Sequence, residues 1–425
     1  MNRGILFWAS NVALIATAMS FAIRGDILAD FQRDFVEPYV VSAADPAAPP
    51  AAHAELIKTS LGLIGTVAFF SFALSILFGG PLVDLFGMGT LLRVAAACHI
   101  GGTFLTIFAP NYWSVVVATL IIGAGNGLVE AVCNPLIATL YPEEKAHKLT
   151  LFHAWFPGGI VIGGVLSYFL SKFAAGTDLA PMVWKIKMGL LLIPSVTYAI
   201  IILGQKFPPT ERVACGYSFS DMIVEAFRRP LCWILWVVMW LTAATELGPG
   251  AWISNVYNDV MGSSEGILAL VWGSVLMYLL RQFGSRRICM ISPIALIALT
   301  APIAALGLFL FKFATTPPMF FLAATLLYVG VCFWWPTMLG IASERLPRTG
   351  ALGLAIIGGT GSFSTFCAGP ILGWINDKYD PATSLMVWAI LPVFIAIIFG
   401  LVYLSDRAKG GYKKERLQAV VRPPP

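Results

Sequence analysis

Charge is what this chain has least of. Asp, Glu, Lys and Arg make up 12% of its 425 residues, about half the ~25% usual in soluble domains. With 58% hydrophobic residues and a mean hydropathy of +0.82, a soluble fold is excluded, because no single core hides that much apolar surface. Catalytic signatures are missing too. No H-E-x-x-H, phosphate-loop or dinucleotide fingerprint occurs, so enzyme chemistry is not expected. The four histidines, His53, His99, His147 and His153, are too dispersed for a metal site. The seven cysteines (Cys98, Cys133, Cys215, Cys232, Cys289, Cys332 and Cys367) show neither metal spacing nor a disulfide framework and read as small apolar packing residues. No cofactor is expected, and the net charge of +5 reflects loop bases rather than a nucleic-acid partner.

What the chain does have is long apolar runs. A bilayer crossing needs about 20 such residues, and the pattern predicts twelve: 5–30, 59–83, 90–109, 113–140, 150–172, 182–204, 231–257, 264–282, 288–311, 318–342, 350–374 and 382–404. The first run reaches about Phe31 with no small-residue cleavage site, so it is expected to stay as a helix rather than leave as a signal peptide. Most Lys and Arg, including Arg93, Lys145, Lys148, Arg212, Arg281, Arg286 and Arg287, fall in loops on the side of the amino terminus. Positive loops stay inside, which predicts both termini in the cytoplasm and a cell inner membrane as the setting, with the lipid bilayer as partner.

Two connections are long. Residues 31–57 are Ala-, Pro- and acid-rich and read as an outer loop; residues 205–230 read as an inner loop with an amphipathic run from Phe219 to Phe227. The expected organisation is an amino-terminal six-helix bundle over 1–204, a central loop over 205–230, a second bundle over 231–405 and a basic tail over 406–425. That tail reads as disordered or lying at the anionic leaflet.

Polar residues inside apolar helices carry the chemistry, because they line wet or protein-walled paths. Asn126, Glu130 and Asn134 are spaced i, i+4, i+8 and are expected on one face of the fourth span. Asp26 lies late in the first span with no polar neighbour on its own face, and an apolar site there would suit proton loading. Its alternative is a solvated position at the outer interface. Arg24 points about 200° away from Asp26 around the helix; it either pairs with an acid elsewhere, snorkels outward or binds an anionic group. Gly248-Pro249-Gly250 is expected to interrupt the seventh span beside Glu246 and Trp252, as transporter helices often are near their sites. Trp335 is open to either packing or a cavity position; Trp334 is expected to pack.

Six spans, a central loop and six more resemble the major facilitator layout of inverted three-helix repeats. Gly80-Pro-Leu-Val-Asp84-Leu-Phe-Gly87 resembles that family's G-x-x-x-D-x-x-G conformational motif, and Gly369-Pro-Ile-Leu-Gly373 repeats its Gly-Pro. At the matching turn after the eighth span, Arg281 stands where the acid normally does. The resemblance implies an all-α integral membrane fold of two six-helix bundles.

Gly127-Leu-Val-Glu130-Ala-Val-Cys-Asn134-Pro135, the Gly25-Asp26-Ile27-Leu28 run and Thr245-Glu246…Trp252 are similar to stretches of the fucose–galactose–glucose symporter family. That resemblance implies Asp26 as proton carrier and Glu130 as a residue that contacts sugar and joins in coupling. The fifth span departs from it, with Lys148, Thr150, His153 and Phe156 in place of Arg, Asn, Gln and Asn, so the sugar itself does not carry over. The expectation is a monomeric secondary transporter for a small sugar or polyol. Protons are the expected coupling ion and sodium the alternative. Substrate contacts would come from Glu130, Asn126, Asn134, His153, Glu246, Trp252, Trp335 and Arg24. The competing readings are an organic-anion or hexuronate symporter using Arg24, and a membrane sensor that binds without transporting.

Overall fold

The computed structural model describes residues 2–43, 49–262 and 267–419. Eleven helical segments are long and apolar enough to cross a bilayer. In the first half these are α1 (Arg3–Asp26), α2 (Pro50–Phe86), α3 (Met88–Ile107), α4 (Tyr112–Leu140), α5 (Lys145–Ala174) and α6 (Ala180–Ile202). The second half holds α7 (Pro230–Met261), α8, α9 (Pro293–Phe313), α10 (Pro317–Arg345), α11 (Gly350–Lys378) and α12 (Pro381–Ala408). The twelfth crossing, α8, runs from Ile267 to Leu279, passes through a π-helical turn at Leu280–Gly284 and ends at Ile288. Its interruption is why it falls short as a single apolar helix. The first and last described segments lie on one face, called here the terminal face: Phe7 packs edge-on against Tyr141 and Arg416 reaches Glu143.

Two expectations about irregular segments change and a third holds. The outer connection is helical where described, through Leu28–Phe31, Gln32–Val36 and Glu37–Ala43, and α2 begins at Pro50, about 55 Å of helix. Its acids and prolines are compatible with this. Phe31 and Phe35 pack edge-on against Trp184, Tyr39 stacks on Tyr112 at 4.4 Å, and the Trp184 indole donates to Asp34 at 2.9 Å. Proline at a helix start costs nothing. The seventh span is not interrupted: α7 runs continuously through Pro249, because hydrocarbon offers no water to replace the remaining backbone bonds. The inner connection does contain the expected amphipathic helix, Phe219–Arg228, opened by a Ser218–Asp221 capping box.

The two halves close on each other at the terminal face. Gly80 of α2 sits so near α11 that a Cβ there would lie 2.2 Å from the Ala355 methyl. Tyr278 of α8 packs on Gly158 and on the Trp155 ring of α5, centroids 5.3 Å apart. Asp84, buried, accepts from Thr210 at 2.6 Å and from Arg212 at 2.6 and 3.1 Å. The motif acid is therefore held by the central connection rather than by a base in its own loop. Lys145 donates to Glu211 at 2.5 Å and to the Ser343 carbonyl at 3.3 Å. Gly87 takes φ +81° at the α2–α3 turn, a conformation that glycine adopts freely.

The tail is ordered as far as it is described. Glu344, at the end of α10 and buried, accepts from Tyr412 at 3.0 Å and Lys414 at 2.7 Å. Glu415 pairs with Arg229, and Arg416 reaches Glu143 in the other half. Burial, and then the Glu344 carboxylate, push the Tyr412 phenol well above its ordinary range, so it stays a donor. The expected disorder fails because a buried carboxylate needs donors, and only the tail brings them among the described residues. Removing residues 409–425 strands that acceptor, which costs roughly 1–3 kcal/mol. The unfolding temperature in detergent should fall by several degrees and partly recover with Glu344→Gln; an unchanged midpoint would show the contact to be idle.

Candidate functional site: a polar seam between the halves

On α4, Glu130 and Asn134 face the junction of the two halves. Asn134 Nδ2 donates to the Glu130 carboxylate at 2.7 Å and to the Glu130 carbonyl at 2.9 Å. The Asn134 carbonyl oxygen lies 3.0 Å from His153 Nε2, which makes that nitrogen the donor. His153 Nε2 is also 3.9 Å from the carboxylate, an ion pair only when the ring is protonated. All three side chains are buried, and no Lys or Arg forms an ion pair with Glu130 among the described residues.

Across the seam, Glu246 of α7 takes Nη2 of Arg281 on one oxygen at 3.0 Å. Its other oxygen is buried with no partner, and so is the Tyr328 hydroxyl of α10. Tyr328 lies beside Gly250, one turn from Glu246: a Cβ on Gly250 would stand 3.9 Å from the hydroxyl. Its ring fills the space above Gly273, where any side chain would overlap it at 2.1 Å. Arg281 is itself 2% exposed. It was counted among the loop bases by sequence, and the π-helical turn instead carries it inward.

Asn126 does not join this group. Eight residues of helix rotate by about 80°, so Asn126 and Asn134 diverge, and Asn126 looks into the first bundle. There Tyr198 donates to His99 Nδ1 at 3.0 Å, His99 Nε2 donates to Asn126 at 2.9 Å, and Asn126 donates to Ser20 at 2.9 Å. Ser20 ends the chain on the Thr17 carbonyl. Every polar group in this wire is satisfied, which marks it as interhelical glue. His99 and Tyr198 gave no sequence signal beyond being polar in apolar runs.

Asp26 is not in apolar surroundings. It closes α1, its side chain is 39% exposed, and it is bound by Lys187 of α6 and by Ser167 of α5 at 2.8 Å. Its own helical face predicted isolation because both partners come from other helices. Arg24, 6% exposed, has no carboxylate partner among the described residues, and its Nη1 is buried without a hydrogen bond among them. Trp334 packs with its indole on Thr300 at 2.8 Å. Trp335 is 9% exposed, its ring pressed against Gly361 of α11. The side chains of Trp252, Gly369 and Pro370 lie outside the described residues.

Residues 35–307 match the family profile described as Major Facilitator Superfamily. A D-xylose transporter of Levilactobacillus brevis is 28% identical over 126 residues, 29% of this chain and 25% of that protein. A gentisate transporter of Corynebacterium glutamicum is 26% identical over 298 residues, 65% of this chain and 63% of the relative. The chain thus spans less than two thirds of either relative's length. In fold it is similar to the E. coli fucose:proton symporter, with TM-score 0.75 and 17% identity, covering 94% of this chain and 99% of that one.

The two polar groups respond differently to substitution. Asn126→Leu leaves His99 Nε2 without its acceptor and Ser20 Oγ without its donor and should cost roughly 1–3 kcal/mol of stability, read as a lowered unfolding midpoint. Glu130→Gln keeps the Asn134 contact and should leave that midpoint nearly unchanged.

Proposed function

The chain belongs to the Major Facilitator Superfamily, a family of transporters, and from that premise we propose that it is a proton-coupled symporter of a small neutral sugar or polyol. The observation that carries this reading is Glu130, a carboxylate buried where the halves meet, with no Lys or Arg paired to it among the described residues and with the His153 ring, charged only when protonated, at 3.9 Å. A lone ionised carboxylate in that setting is expensive, and a proton bound with it removes the cost. Asn134, His153, Glu246 and Tyr328 add hydroxyl-binding donors and acceptors from both halves.

Alternating access then rocks the halves about this seam. Asp84, Arg212 and Lys145 hold the terminal face shut in this state. Asp26, nearer the opposite face and held by Lys187 and Ser167, is the second carboxylate of the path. The excess of Lys and Arg in loops on the side of the termini supports both termini in the cytoplasm, at a cell inner membrane. The names of relatives that handle D-xylose and fucose with protons support the sugar class.

The test is external pH above proteoliposomes at matched salt without sodium. On adding D-xylose, L-fucose or myo-inositol, the medium should turn alkaline, and Glu130→Gln should abolish this along with binding. Asp26→Asn should remove concentrative uptake and spare exchange. Full concentrative uptake in Asp26→Asn would leave that residue structural. A response only on sodium addition would reassign the ion.

A second reading has its own observation. Arg24 keeps a buried, unpartnered guanidinium nitrogen, and one relative is named for gentisate, an aromatic carboxylate. An organic acid would supply the missing anion. Arg24→Ala should then silence uptake of gentisate, whereas a neutral-sugar carrier should keep transporting.

A further inference from the structure

A helical carbonyl accepts from the N–H four residues on, and proline has none. Pro157 therefore releases the carbonyl of His153 in α5, and Pro336 releases that of Cys332 in α10. Hydrocarbon offers no water to either. One side chain satisfies both. Arg281 donates from Nη1 to His153 O at 2.9 Å and from Nε to Cys332 O at 2.6 Å, while Nη2 holds Glu246 at 3.0 Å. A single planar guanidinium, delivered by a π-helical turn of the kind that clusters at functional positions, thus ties a proline-freed carbonyl from each half. Of its three acceptors, His153 alone belongs to the other half.

We propose that Arg281 is the positioning residue that holds the terminal face closed, and that a proton taken from water by the free oxygen of Glu246 loosens it. The naming of the motion rests on the transport reading above. Arg281 keeps Glu246 and Cys332 when the second bundle moves as a body; the bond to His153 must break. With Glu246 ionised, the guanidinium is neutralised and stable in a dry seam. With Glu246 protonated, a buried cation faces only dipoles, and opening to water relieves it. The other titratable groups around the pair are Glu130 and His153 from the first half and Tyr328 and Cys332 from the second. A protonated His153 would add a second cation and act in the same direction.

Cys289 reports the opening. Its sulfur is half-buried and lies 3.8 Å from the Thr150 hydroxyl across the halves, so a closed face shields it in part. In the full chain with Cys289 as the sole cysteine, maleimide labelling of purified protein needs no substrate and is independent of what is transported. Arg281→Lys keeps the charge but cannot span three acceptors, and should raise the labelling rate about tenfold, the scale of one charge-assisted hydrogen bond. Glu246→Gln, equal in volume, should raise it similarly. Maleimide adds to the thiolate, so each rate is divided by that of a free thiol at the same pH; on that ratio the parent should climb as pH falls, and that climb should vanish in Glu246→Gln. Pro157→Ala gives His153 O a helical donor and should loosen the seam without altering any charge. Equal rates in the three variants and the parent, at every pH, would overturn the proposal. A raised rate with no pH dependence would overturn the role of Glu246.

Discussion

A bilayer interior cannot solvate a polar group, and this one constraint organises the protein. Each carbonyl, hydroxyl or charge placed at depth must find a partner inside the fold. The consequences differ by location. In the first bundle the wire from Tyr198 through His99 and Asn126 to Ser20 closes completely, and it locks α1, α3, α4 and α6 together. At the seam the accounting is left open, with an unpaired oxygen on Glu246 and a free hydroxyl on Tyr328. Closed networks hold helices in place, whereas open valences wait for a ligand or a proton. The same membrane thus produces a scaffold and a site from one residue vocabulary.

The terminal face adds a second layer of closure in water-accessible chemistry. Asp84 is held by Arg212, Lys145 by Glu211, and Glu344 by the tail. These pairs join segments far apart in the chain, so the central connection and the tail behave as parts of the closed state. The close approach of Gly80 to α11 supplies the steric half of the same seal. Exposed pairs such as Arg416–Glu143 contribute little individually, and the proposed alternating access needs a closure that can be undone.

Much of the architecture was legible because hydropathy acts over whole helices. Twelve crossings, their order, the amphipathic helix after Ser218 and the burial of Trp334 follow from composition alone. The motif glycines Gly80 and Gly87 were readable for the same reason: close approach and positive φ admit few other residues. Glu130, Asn134, His153 and Glu246 could be found as polar residues in apolar runs. Their assembly could not, since it depends on helices from both halves.

What the sequence by itself determined is the set of residues that need partners: a membrane chain cannot afford Glu130, Glu246, Arg24 or Asp26 without a reason. Which partner each one receives was decided by tertiary structure. Asn126 left the expected face because helical rotation accumulates to about 80° over eight residues. Asp26 acquired Lys187 from α6, and Arg281 moved from a presumed loop into the core through one wide turn. Pairing across helices depends on rotation, depth and the breaks between turns, and periodicity along one segment carries none of that information.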